Sequence, residues 1–258
     1  NKITNSEQIV GTGFTQYSVT QGRWIDRSTS LVPVVMGEPA GTFAYSRSST
    51  GSMPYVDSGG TTQLRIPSIQ LNGATPGTYM LVDRLVGHSG FVANLNTTQT
   101  TNCPTAALTR YTSGEGVMAF ITIWTQSGAT ATTFSVSYTN QAGTSGRTSP
   151  AQTIGGTGYR EAVRAIAIPL QEGDTGIRSI QSLTQTGTTG LGVQYGVTLV
   201  KPLLLMNVTD QTNTESADFL SKNMFGGMPE ILDNACLMWF SNTFTTGLLN
   251  AAINFTEA

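Results

Sequence analysis

The chain has 258 residues, of which 38% are hydrophobic and 11% charged, against roughly 25% charged in an ordinary soluble domain. That composition excludes a coiled coil, which needs Ala, Glu, Lys, Leu and Arg in quantity, and excludes the charged, apolar-poor chemistry of disordered chains. Lys plus Arg (13) and Asp plus Glu (15) nearly cancel to a net charge of −2, so nucleic-acid binding by phosphate neutralisation is not expected.

Residues 1–75 read as an extended N-terminal arm with edge strands. The segment holds Pro33, Pro39, Pro54 and Pro67 among many Ser and Gly, with apolar patches at Leu31–Met36 and Leu64–Leu71. Residues 76–258 read as a β-sandwich or jelly-roll-like domain, because short strands recur at about ten-residue intervals with turn chemistry between them. Strands are expected at Tyr79–Val86, Val117–Thr125, Thr133–Thr139, Ala162–Leu170, Ile177–Thr184 and Leu191–Met206. Phe134, Val136 and Tyr138 share one face of their strand, and the turn Gln126-Ser127-Gly128 before them predicts a hairpin with Val117–Thr125. In Leu191–Met206 the apolar face is Leu191, Val193, Tyr195, Val197 and Leu199, while Gly192 and Gly196 opposite predict close approach of another backbone or subunit.

One short helix is expected near 214–224, inside an insertion at about 212–228: Thr214 caps it, Glu215 sits in its first turn, and Gly226-Gly227 ends it. Beyond Pro229, Ala235–Ser241 and Leu248–Thr256 read as two further strands, able to pair across Asn242–Gly247. A buried helix is the alternative for Ala235–Phe240, since short apolar runs do not separate the two states.

Chemistry finds little to work with. The one histidine, His88, precedes Ser89, and neighbours on a strand point to opposite faces, so the pair cannot serve as base and nucleophile. One His with Cys103 and Cys236 completes no zinc set, and the two cysteines read as isolated thiols. Asp210, Glu215 and Asp218 lack the central Gly of a calcium loop. Carboxylates for a glycosidase would come from Asp83, Glu115, Glu161, Glu172 or Asp174, but fifteen acids always offer some pair. The Gly clusters open no helix and carry no Lys-Ser/Thr ending, so they are not phosphate loops. No cofactor, metal or catalytic residue is therefore expected. No apolar run is long enough to span a membrane as a helix. Trp24, Trp124 and Trp239 read as one arm anchor and two core residues. The shortage of charge fits a subunit whose surface is covered by other subunits, since interface cores are depleted of charge.

The chain from about residue 76 to 258 resembles a family of tailed-bacteriophage virion proteins. The resemblance rests on Arg110-Tyr111-Thr112-Ser113-Gly114-Glu115-Gly116-Val117, the strand to Trp124, Ser137–Thr148, Leu170–Gly176 and Asp233–Trp239. These are turn and strand signatures, and they bring no catalytic residues with them. The resemblance implies a structural protein on the capsid exterior, a decoration or cement protein that binds the major capsid protein, with homotrimers suiting local threefold positions. The capsid-binding arm would then present Trp24, Leu31, Val32, Val34, Val35 and Met36 as apolar anchors. A head- or tail-fibre receptor or carbohydrate-binding module is the alternative, and a polysaccharide-cleaving enzyme stands behind both.

Overall fold

A computed structural model describes residues 3–10, 24–26, 41–49, 52–53, 55, 64–72, 76–103, 107–162, 164–210, 212, 214–219, 227–243 and 250–257. Every regular element among them is a β-strand, and every pairing is antiparallel. The all-β class expected from composition and periodicity is what the chain adopts.

The centre is a closed ring of six strands. β2 (Trp24–Asp26), β5 (Gly77–Val92), β7 (Met118–Ile123), β11 (Arg164–Ile168), β13 (Gln194–Val208) and β16 (Leu237–Thr243) pair in the order β13-β7-β11-β2-β16-β5, and β5 returns to β13. An all-antiparallel ring needs an even number of strands, and closure leaves no open edge where the circuit is complete. β3 (Gly41–Ala44) pairs with β5 at Val86–Ser89, past the stretch Gly77–Asp83 that β16 takes.

Period-two alternation sorts the ring's side chains. Met80, Val82, Phe120, Ala165, Val200, Met238 and Phe240 form one buried cluster, and their strand neighbours belong to two other clusters. Of those neighbours, Ala119, Ile121 and Ile123, with Tyr195, Val197 and Leu199, pack against a five-stranded sheet of β8 (Thr132–Asn140), β12 (Ile177–Gln185), β10 (Gln152–Ile154), β9 (Arg147–Thr148) and β6 (Thr98–Gln99). Its contribution is Phe134, Val136, Tyr138, Ile154, Ile177, Ile180 and Leu183. At the other end of the long strands, Tyr79, Leu81, Met206, Leu237 and Trp239 pack against a second five-stranded sheet. That sheet runs β1 (Ile3–Val10), β17 (Asn250–Glu257), β4 (Leu64–Asn72), β14 (Glu215–Asp218), with β15 (Glu230–Ile231) also on β4. β5 and β13 thus carry one ring past two flanking layers.

Three expectations are corrected. The hairpin of Val117–Thr125 with Thr133–Thr139 does not form: β7 is in the ring and β8 in the flanking sheet, and their apolar faces meet across the core instead of edge to edge. Leu237–Thr243 and Asn250–Glu257 likewise belong to different sheets, so they make no hairpin. Over 214–224 the helix gives way to β14, which pairs Ile69, Gln70 and Leu71 of β4, while residues 220–226 lie outside the described set. The physical reason is the period. Ala217 and Phe219 lean on the second core while Ser216 and Asp218 are exposed. The Phe219 amide then donates to the Pro67 carbonyl at 2.8 Å. Just before the strand, the Asp210 carboxylate accepts from the Thr212 amide and hydroxyl, both at 2.8 Å, in a turn.

The glycine at 196 does what its position predicts. A Cβ there would sit 2.8 Å from the His88 carbonyl oxygen and 3.1 Å from the Trp124 indole nitrogen, so only Gly lets β13 approach β5 at that bulged register.

Candidate functional site

The arm anchors come first. Trp24 opens β2, and its backbone pairs with Ala165. Leu31, Val32, Val34, Val35 and Met36 lie outside the described residues. Elsewhere in residues 1–75, β1 lies along β17 in register from Ser6 to Val10, and β4 runs between β17 and β14. Among the described residues β1 forms one edge of its sheet, eight residues long with Glu7 as its single charge, whereas β6, β9 and β14 are edges or edge additions of two to four residues. Trp124 and Trp239 are both buried, which removes them as platforms for stacking sugars.

Next to the ring sits a buried ion pair. Arg110 donates from Nε and Nη2 to the two oxygens of Asp83, each at 2.8 Å, and Nη2 also reaches the carbonyls of Tyr45 and Arg84 at 3.1 Å. The Cys236 amide donates to Asp83 as well, at 2.8 Å. Burial pushes the Asp83 carboxyl above its ordinary value, against the pull of Arg110 and that amide. Arg84, the next residue, extends to the other face of β5. Its guanidinium lies 4.1 Å from the Tyr45 ring centroid and 5.3 Å from that of Trp124, and donates to Thr198 Oγ1 at 3.2 Å. This is a packed, buried network whose chemistry is to hold strands together.

A second polar cluster closes the loops beyond β8 and β12. Asp174 accepts from Tyr138 Oη at 2.6 Å, Asn140 Nδ2 at 2.7 Å and Arg147 Nε at 2.9 Å. These bonds, that of Arg147 foremost, hold its carboxyl at about 2. Of the carboxylates weighed for glycosidase chemistry, Asp83 and Asp174 are thus ion-paired, Glu161 stands 3.6 Å from Arg164, and Glu115 accepts from Thr175 Oγ1 at 2.8 Å. Among the described residues no three of His, Cys, Asp and Glu gather as a metal would require.

One concavity among the described residues has His88 in its wall. His88 and Ser89 diverge as neighbours on a strand must: Ser89 Oγ accepts from the Trp124 indole at 3.2 Å, while the His88 imidazole meets Thr42 Oγ1 on β3 at 3.3 Å. Over the imidazole lies a cavity of about 160 Å³. Its deeper residues are His88, Leu108, Ser179 and Leu199, and its rim is Thr42, Ala44, Ala107 and Thr109, all exposed. Five separate pieces of chain, β3, β5, the 107–109 loop, β12 and β13, line it, so no local pattern in the sequence announces it. Burial holds the imidazole below its ordinary pKa and hence neutral, while the Asn102 carbonyl pulls the other way.

In comparison with known proteins, no family model, no curated protein and no solved structure matches the chain.

Proposed function

We propose that the chain is a structural protein of a tailed-bacteriophage virion, a decoration or cement protein that lies on the capsid exterior as a homotrimer and binds the major capsid protein. In that reading the flanking sheets pack on the ring as the layers of a β-sandwich do, and edges that the ring does not close are available to neighbours. The observation that carries the reading is β1, an eight-residue edge strand whose single charge is Glu7. Isolated soluble proteins guard such an edge with charge, bulges or brevity; here the register shift lies at the start, between Ile3 and Asn5, and the regular run Asn5–Val10, with Glu7 as its one charge, is long enough to take a further strand. A subunit that binds only the assembled shell stabilises it by mass action.

β2 is part of the ring, so the informative deletion stops short of it. Full-length protein and a variant lacking residues 1–10 are titrated onto expanded capsids. The reading expects saturable occupancy for the full chain and its loss in the variant, with the cooperative melt of the remaining chain retained. Equal occupancy of the two proteins refutes the role given to β1, and no occupancy by the full chain refutes the reading as a whole.

A further inference from the structure

The cavity over His88 is a different kind of feature from a sheet edge, and its chemistry can be read atom by atom. Thr42 has one hydroxyl proton. Its Oγ1 lies 2.9 Å from the Asn102 carbonyl oxygen, which only accepts, so the proton points there. Oγ1 therefore offers a lone pair to His88 Nδ1 at 3.3 Å, and Nδ1 carries the imidazole hydrogen. Asn102 is itself fixed, with φ at 60° and its Nδ2 donating to the Ser89 carbonyl at 2.6 Å. The ring's other nitrogen, Nε2, is then an acceptor, in a residue that lines the cavity and is only 3% exposed. Leu199, Leu108, Val86 and Ala44 supply apolar wall. A cavity of about 160 Å³ matches in size the apolar cavity of ~150 Å³ that takes up benzene.

We infer that this cavity is a binding site for a small neutral aromatic molecule that carries one hydrogen-bond donor, a molecule of the phenol class, with the ring against Leu199 and Leu108 and the donor on His88 Nε2. Neither a carboxylate nor a cation suits it. Arg178 reaches the cavity wall, but its Nε donates to the Gln141 and Ser113 carbonyls at 2.9 and 3.1 Å, and its Nη2 donates to the Gln141 carbonyl as well. The apolar walls offer a cation no ligands.

His88 is the one histidine of the chain, so its ring nitrogens are assignable in ¹⁵N NMR of the uniformly labelled, full-length protein without any substitution. The probes are phenol and toluene, which share a shape and differ in the donor. Before addition, the spectrum should show the tautomer protonated on Nδ1. Phenol should move the Nε2 resonance in a saturable way, and toluene should bind without moving it. Calorimetry then compares affinities. In His88→Phe the preference for phenol over toluene should fall roughly 2- to 12-fold, the worth of one hydrogen bond. Val86→Phe, which fills the wall, should abolish both while the protein still melts cooperatively. Absence of binding by both probes at 10-millimolar order, or phenol binding untouched by Val86→Phe, overturns the site. Phenol binding that leaves Nε2 unmoved overturns the role of His88.

Discussion

Phe120 and Phe240 stand on β7 and β16, which are not neighbours in the ring, yet their ring centroids are 5.0 Å apart. On either path around the ring two strands separate them, so the two aromatics meet across the interior. Closure is therefore a matter of side-chain packing as well as of hydrogen bonding. Removing either ring should cost about 3–5 kcal/mol, as large-to-small changes in cores do. The double-mutant cycle of Phe120→Ala and Phe240→Ala should return a coupling of about 0.5–1.5 kcal/mol by urea unfolding. Additive effects would show that the two rings do not share one interior.

The Asp83–Arg110 pair predicts an asymmetry between single and double replacement. Asp83 is wholly buried and Arg110 nearly so, with side-chain exposures of 0% and 11%. Asp83→Leu strands the guanidinium, and Arg110→Met strands the carboxylate; each should cost about 3–5 kcal/mol, because an unpaired charge is left in the interior. The double variant should regain a substantial part of that loss. Strictly additive losses would mean that each residue acts through its backbone contacts rather than through the pair.

Stability should fall with acid in two separate windows. His88 has a folded pKa below its ordinary 6.5 because it is buried. The unfolded chain therefore binds the extra proton first, and the contribution of His88 is complete above 6.5 and declines as pH drops below that value. Asp174 behaves oppositely in cause though not in direction. Arg147, then Tyr138 and Asn140, hold its carboxyl at about 2 against 3.8, so its contribution is present above 3.8 and disappears as pH falls through 2. Unfolding measured across pH should show His88→Gln flattening the limb from about 7 to 5 and Asp174→Asn flattening the lower one. A wild-type profile without the upper limb contradicts a neutral, buried imidazole.

The sequence is most informative where a signal is periodic and local. Phe134, Val136 and Tyr138 face the core as their alternation requires, as do Tyr195, Val197 and Leu199, and Trp124 and Trp239 are buried. Partner choice is not local, and there the reading fails. Gln126-Ser127-Gly128 is turn chemistry, but a turn that leads from one layer to another has the same residues as one that joins neighbours, so the expected hairpin is instead a crossing between sheets. Thr214 and Glu215 make a sound helix start in isolation, and an open edge on β4 outweighs it. His88 is legible as a buried histidine, whereas the cavity above it depends on residues 42–44, 107–109 and 178–179 arriving from three directions. Nothing in spacing encodes such a meeting.

The two cysteines carry a last prediction. Both are free and buried, and burial alone pushes the Cys103 thiol up to about 12 and is the largest influence raising Cys236 to about 11. The thiolate is the reactive form, so near pH 8 native protein should react with a disulfide reagent far more slowly than a free thiol does, and denaturant should release two equivalents at once. The two should differ in kind. Cys236 packs with Phe240 and Met238 in the ring interior, so exposing it requires the ring to open, and its labelling rate should follow global stability through the Phe240→Ala variant. Cys103 belongs to a different core cluster, where it is one of the least buried members at 8% exposure, so a smaller opening suffices and its rate should be insensitive to that variant. Cys103→Ser separates the two signals. One fast equivalent from the native Cys103→Ser protein would place Cys236 outside the ring.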